Sequence, residues 1–225
     1  MKIIKYVDSG NIDIEFLDEH HCKKKHQTYL NFKRGAIKNP YHKSVFGIGY
    51  VGEGNYKTKE NGKFTIFYQQ WKNMLLRCYV KADRHRPYED AKVCDEWLNF
   101  QTFAKWYDEH YYEVNERLHI DKDIKVKDNN TYSPDACMLV PQSINEVFKR
   151  NTKKKTDTDL PETIKRAGTG YKVGFRGKSL GVYKTVEECF NKYNEVKKEY
   201  IKELVEKYNG IMPVDVRDTL LSWQP

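Results

Sequence analysis

Residues 118 to 123 read Leu-His-Ile-Asp-Lys-Asp, and three of them could do chemistry together. Successive side chains of an extended strand point to opposite faces, so His119, Asp121 and Asp123 would share one. Carboxylate oxygens suit a hard divalent cation such as Mg²⁺, which keeps several waters and needs few protein ligands. An imidazole that titrates near neutrality can take a proton from such a water. The bland alternative is a strand on which His119 is merely an exposed residue. The chain contains no phosphate loop, nucleophile elbow or HExxH motif, so no competing chemistry is offered.

The elements that must position these groups follow from pattern. Residues 117 to 126 alternate, 127 to 135 are rich in turn formers, and 137 to 140 are a short apolar run. Pro141 then stands where a first helical turn tolerates it, with Ile144 and Phe148 four residues apart. Strand, turn, strand and helix of this size make a ββα hairpin. Ahead of it, Tyr68, Trp71, Leu75 and Cys78 form the apolar stripe of one amphipathic helix. Trp97, Phe100, Phe103 or Ala104, and Tyr107 form the stripe of a second, and aromatic stripes at this spacing are normally core. Between the two helices, residues 81 to 92 are a charged loop around Pro87.

The flanks differ. Ile12, Ile14 and Phe16 alternate with polar residues as in a half-buried strand, and a glycine-rich exit follows, which gives an N-terminal β module over residues 1–58. Residues 151–159 are charged and poor in apolar side chains and read as a basic linker whose Lys153, Lys154 and Lys155 could track phosphates. In residues 160–225, Tyr171, Val173 and Phe175 point one way and Lys172 and Arg176 the other, with a turn at Gly177 and Lys178. Thr185 and Glu188 form a capping box for a long helix with Val186, Cys189, Tyr193, Val196, Tyr200 and Leu204 inward, ended near Gly210, before a short closing helix. The expected class is α+β, built of small modules.

Among 225 residues, 40 Lys and Arg stand against 32 Asp and Glu, a formal net charge of +8. Such a surplus favours a polyanionic partner, because each cation that neutralises a phosphate releases a counterion. No apolar run approaches the roughly 18 to 20 residues that span a bilayer, and the N-terminal residues turn polar too soon for a signal peptide, so a cytoplasmic protein is expected. The five cysteines are odd in number and widely spaced, which favours reduced thiols over disulfides.

Three blocks in order, W-K-N-M-L-L-R-C-Y, V-C-D-E-W-L-N-F-Q-T-F and D-K-D followed by Y-S-P-D-A-C-M-L-V-P, resemble a family of bacteriophage HNH-endonuclease-like proteins over residues 68 to 148. The resemblance implies a central HNH-like ββα domain with preceding helices, residues 64–150, that nicks or cuts double-stranded DNA with Mg²⁺ or Mn²⁺. It places Asp121 and Asn145 as metal ligands. Lys122 takes the place of the base histidine, and a lysine of ordinary pKa, about 10.4, is protonated at neutral pH and cannot serve. Ala136 takes the place of the Asn that braces the hairpin, and Met138 and Leu139 replace the usual Arg and Trp. An alternative register makes His119 the base, with Asp121, Asp123 and Asn145 on the metal. Cys78, Cys94 and Cys137 fall at family positions, where thiolates could hold a structural Zn²⁺ or simply pack as buried thiols.

Residues 171 to 209 are similar to an AP2-type DNA-binding domain, a three-stranded sheet plus long helix, with Cys189 where Ala is usual. In such a module outward side chains read base edges and flanking cations take phosphates. Lys172, Arg176, Lys178 and Lys184 are the residues it implies for DNA. The expected function is a phage-type DNA-binding protein and HNH-like endonuclease. The alternatives are a DNA binder without catalysis, and an effector that binds a host protein through aromatic surface.

Overall fold

The computed structural model describes residues 1–80, 90–149, 160–161 and 163–224. It is α+β, with six helices and several small sheets among the described residues. The chain divides into two compact units, Met1–Glu109 and His110–Pro225. The division falls inside residues 64–150. Lys153, Lys154, Lys155 and residues 81–89 of the loop around Pro87 lie outside the described residues.

In the first unit β1 (Lys2–Asp8), β2 (Asn11–Glu15) and β3 (Lys23–Gln27) form an antiparallel sheet with β2 central. Ile12 and Ile14 are fully buried and Phe16 and Cys22 join them, as the alternation requires. A short helix α1 (Tyr29–Lys33) follows, its N-terminus capped by the Thr28 hydroxyl. The loop beyond it approaches the next helix so closely at Gly49 that a Cβ there would lie 2.5 Å from Leu75.

The hairpin β4 (Lys59–Glu60) and β5 (Lys63–Phe64) leads into α2 (Ile66–Tyr79), started by Thr65, whose hydroxyl accepts the Tyr68 amide at 3.3 Å. Trp71 and Leu75 are fully buried, whereas Tyr68 and Cys78 are half-buried. After β6 (Lys92–Val93) the expected second helix comes in two pieces: a 3-10 turn, Asp95–Leu98, and α3 (Phe100–Glu109). The break is at Asn99, whose backbone is extended and whose side chain accepts the Gln101 amide at 3.0 Å. The stripe survives the break, since Trp97, Phe100, Phe103, Ala104 and Tyr107 are all buried. The Trp71 indole donates to the Trp97 carbonyl at 2.7 Å and locks the two helices in register.

The second unit opens with β7 (Leu118–Asp121), β8 (Thr131–Tyr132) and β9 (Met138–Pro141), then α4 (Gln142–Phe148). β7 and β9 pair antiparallel, with His119 opposite Val140 and Asp121 opposite Met138, and α4 packs against both strands. The first strand is shorter than the alternation over 117–126 suggests, because the chain turns as soon as Asp121 is passed. Next, β10 (Ile164–Ala167), β11 (Gly170–Phe175) and β12 (Lys178–Tyr183) form a second antiparallel sheet with β11 central. The long helix α5 (Val186–Lys207) covers one face, and α6 (Val214–Leu221) packs on α5.

Thr185 and Glu188 form the expected capping box. The inward face of α5 is more polar than its pattern suggests: Asn194 and Lys197 are buried there beside Cys189, Ile201 and Leu204.

Candidate functional site

Leu118 and Ile120 are buried, while His119 and Asp121 lie half-buried on the other face of β7. The alternation thus places these two together. Asn145 sits half-buried on α4, the helix packed on this strand pair. Asp123 does not continue the strand face, because it belongs to the turn beyond the strand end.

What Asp121 does locally is visible in its hydrogen bonds. Its Oδ1 accepts the amides of Asp123 and Ile124, both at 2.8 Å, which shapes the turn. Burial raises the carboxyl above the ordinary aspartate range, against those amides and Lys122, which favour the charged form.

Lys122 is buried, with 7% of its surface exposed, and its ammonium donates to Asp123 Oδ1 and to the Asn129 carbonyl, each at 2.6 Å. The Asn129 side chain closes the same loop. It donates to the carbonyls of Lys122 and Thr131, at 2.9 and 2.7 Å, and accepts the Thr131 amide at 3.0 Å. Where the resemblance puts a bracing Asn, Ala136 is buried and carries no polar group. The bracing comes instead from Asn129, which the sequence showed only as one of several turn formers.

The residues suit a structural turn better than a cation. One oxygen of Asp121 is occupied by two amides, and Asp123 is neutralised by Lys122. Among the described residues, no group of three or more His, Cys, Asp or Glu side chains is placed to hold a metal ion. All five cysteines are free thiols. Cys78 and Cys94 are half-buried in the first unit and Cys137 is buried in the second. Burial pushes the Cys94 thiol up, which favours its neutral form.

A second cluster, missed in the sequence, anchors α4. Glu116 accepts the Ser143 amide at 2.6 Å, the Ser143 hydroxyl at 3.2 Å, the Lys207 ammonium at 3.3 Å, and the Tyr208 hydroxyl. It ties the start of one helix to the end of another, across a sequence gap that no local pattern bridges.

The charged side chains of the sheet β10 to β12 are all basic. Residues 163 to 185 carry Lys165, Arg166, Lys172, Arg176, Lys178 and Lys184 and not one acid. The register sets Lys165 opposite Lys172 and Lys172 opposite Val182, so these three form one row on the face turned away from α5. All three are exposed. The neighbouring positions of that face, Ala167, Gly170, Gly174 and Ser179, have small side chains or none, so the face is low in relief.

Arg176 lies elsewhere than the alternation implies. The turn is Arg176 and Gly177, not Gly177 and Lys178, with φ of 49° and 81°, the left-handed pair a tight hairpin needs. The Arg176 guanidinium sits over the Tyr200 ring of α5, 5.0 Å from its centre. Lys178 and Lys184 are exposed, at the start of β12 and just before α5.

No helix among the described residues is long and apolar enough to cross a membrane. Comparison with known proteins finds no family model, no curated protein and no solved structure that matches the chain.

Proposed function

We propose that the chain binds double-stranded DNA through the exposed face of the β10 to β12 sheet. The observation that carries this reading is the acid-free row in which Lys165 faces Lys172. Like charges directly opposite on a sheet cost stability, and a phosphate backbone is the partner that would reverse the sign of that cost. The low relief of the face lets a sheet approach a groove, with Lys178 and Lys184 on flanking phosphates and the exposed Val182 beside base edges.

A second reading, HNH-like cleavage, is favoured by one observation: His119 and Asp121 share a face of β7 next to α4. Against it stands the use of Asp121, Lys122 and Asp123 as a turn clamp. We therefore infer a binder first and a nuclease second.

The test is a supercoiled plasmid incubated with the pure protein in Mg²⁺, Mn²⁺ or EDTA, beside Lys165→Ala/Lys172→Ala and Asp121→Ala. Retardation without cleavage, lost in the lysine variant, is expected. Metal-dependent nicking that disappears in Asp121→Ala would replace this reading by the second. No retardation at low salt would remove both.

A further inference from the structure

The first unit holds a cleft of about 660 Å³ between β3 and the loop that follows α1. That size lies within the range of small-molecule sites. Its apolar floor is Phe16, Ile37, Pro40 and Val51. The floor is firmly based, because Phe16 belongs to the buried cluster of the β1 to β3 sheet and Ile37 packs against that cluster.

The polar groups around the floor are basic or neutral. Lys24, Lys38 and His42 line the cleft with Asn39 and Ser44, and no described lining residue is acidic. Two of these groups are already engaged. Lys24 pairs with Glu53 at 3.3 Å, and Asn39 donates to Asp18 at 2.5 Å while accepting the Tyr41 amide. Lys38, His42 and Ser44 are exposed at the rim, where their side chains are accessible to a ligand.

An ammonium, an imidazole and a hydroxyl that line one cleft with apolar side chains match an anionic group attached to a flat, apolar body. Phosphate fits better than carboxylate, since it presents more acceptor oxygens and nearly two charges at neutral pH. The volume leaves room for a base and a sugar.

We propose that this cleft binds a phosphate-bearing ligand of nucleotide size, with Lys38 and His42 on the phosphate and the base on Phe16, Ile37 and Pro40. The inference does not depend on the β10 to β12 sheet, which lies in the other unit.

The experiment is titration of the full chain with thymidine monophosphate, thymidine and inorganic phosphate, read by amide chemical shifts. Saturable shifts at residues 35 to 51 with the nucleotide are expected, with at least tenfold weaker binding of the nucleoside and of phosphate alone. Lys38→Ala/His42→Ala, at two exposed sites, should weaken nucleotide binding at least tenfold and leave duplex retardation unchanged. Absence of saturable shifts in the millimolar range would overturn the proposal. So would equal loss of duplex binding in the double variant, which would assign the two side chains to a DNA surface instead.

Discussion

Lys165 on β10 and Lys172 on β11 stand directly opposite one another, both exposed, in a stretch of chain without an acid. Cross-strand partners of like charge repel, and opposite charges there contribute roughly 0.2–1 kcal/mol. Lys165→Glu should therefore stabilise the fold by about that amount and raise Tm. The same change should weaken duplex binding at least tenfold and lower the slope of log affinity against log salt by about 0.9 for each phosphate that is no longer neutralised. Stability and binding are expected to move in opposite directions, which a general unfolding effect cannot imitate. A more stable variant that binds DNA as well as the parent would show that the pair does not touch phosphate.

Lys122 gives the second prediction, on the energetics of the turn. Its buried ammonium satisfies the Asn129 carbonyl and Asp123 together. Lys122→Met would remove the donor to the carbonyl of half-buried Asn129, at a cost of about 1 kcal/mol. Asp123→Ala removes only the half-exposed partner and should cost less. Urea unfolding of the two variants checks the order. A larger loss in Asp123→Ala would mean that the ion pair, not the loop closure, holds the turn.

These two sites also mark what the sequence could and could not reveal. His119 with Asp121, the α2 stripe and the Thr185 to Glu188 box were legible because each rests on a local period or a fixed short spacing. The basic tail was legible as composition, but the opposition of Lys165 and Lys172 depends on register, which the Gly168 and Thr169 turn sets. The Lys122 clamp was hidden, because a lysine between two aspartates reads as exposed until a loop folds a carbonyl onto it. Arg176 was misplaced for a related reason: a left-handed arginine is tolerated there while its guanidinium rests on a ring 24 residues away. Glu116 and Tyr208 were beyond any local reading.

Glu116 provides a pH dependence with a definite sign. Burial alone would raise its carboxyl, yet hydrogen bonds from Tyr208, the Ser143 amide and Lys207 outweigh it and hold the group below its ordinary value of 4.5. A carboxylate held down in this way contributes stability that is fully present above the unfolded value and is lost as pH falls through the folded one. Tm of the parent should thus drop more steeply than that of Glu116→Gln once pH falls below about 4.5. Parallel acid limbs would mean that the cluster does not favour the charged form.

Lys197 has the opposite kind of shift and gives the last prediction. Burial lowers its pKa to about 8. Its ammonium is placed over two rings that meet edge to face, 4.8 Å from the centre of Phe148 and 4.4 Å from that of Trp223. Rings attract a cation but replace only part of its lost hydration. An unfolded lysine titrates at about 10.4, so between about 8 and that value the unfolded chain binds more protons than the folded one, and stability rises with pH. Below about 8 both states are charged and the burial cost is felt in full. Lys197→Met keeps the volume and removes the charge, so it should be more stable than the parent near neutrality, by an amount that shrinks as pH is raised towards 10. Urea unfolding of both proteins at the two ends of that window measures the gap. A gap that stays constant would mean that the amine remains charged throughout, and a variant less stable at both ends would mean that the two rings hold the cation more strongly than water does.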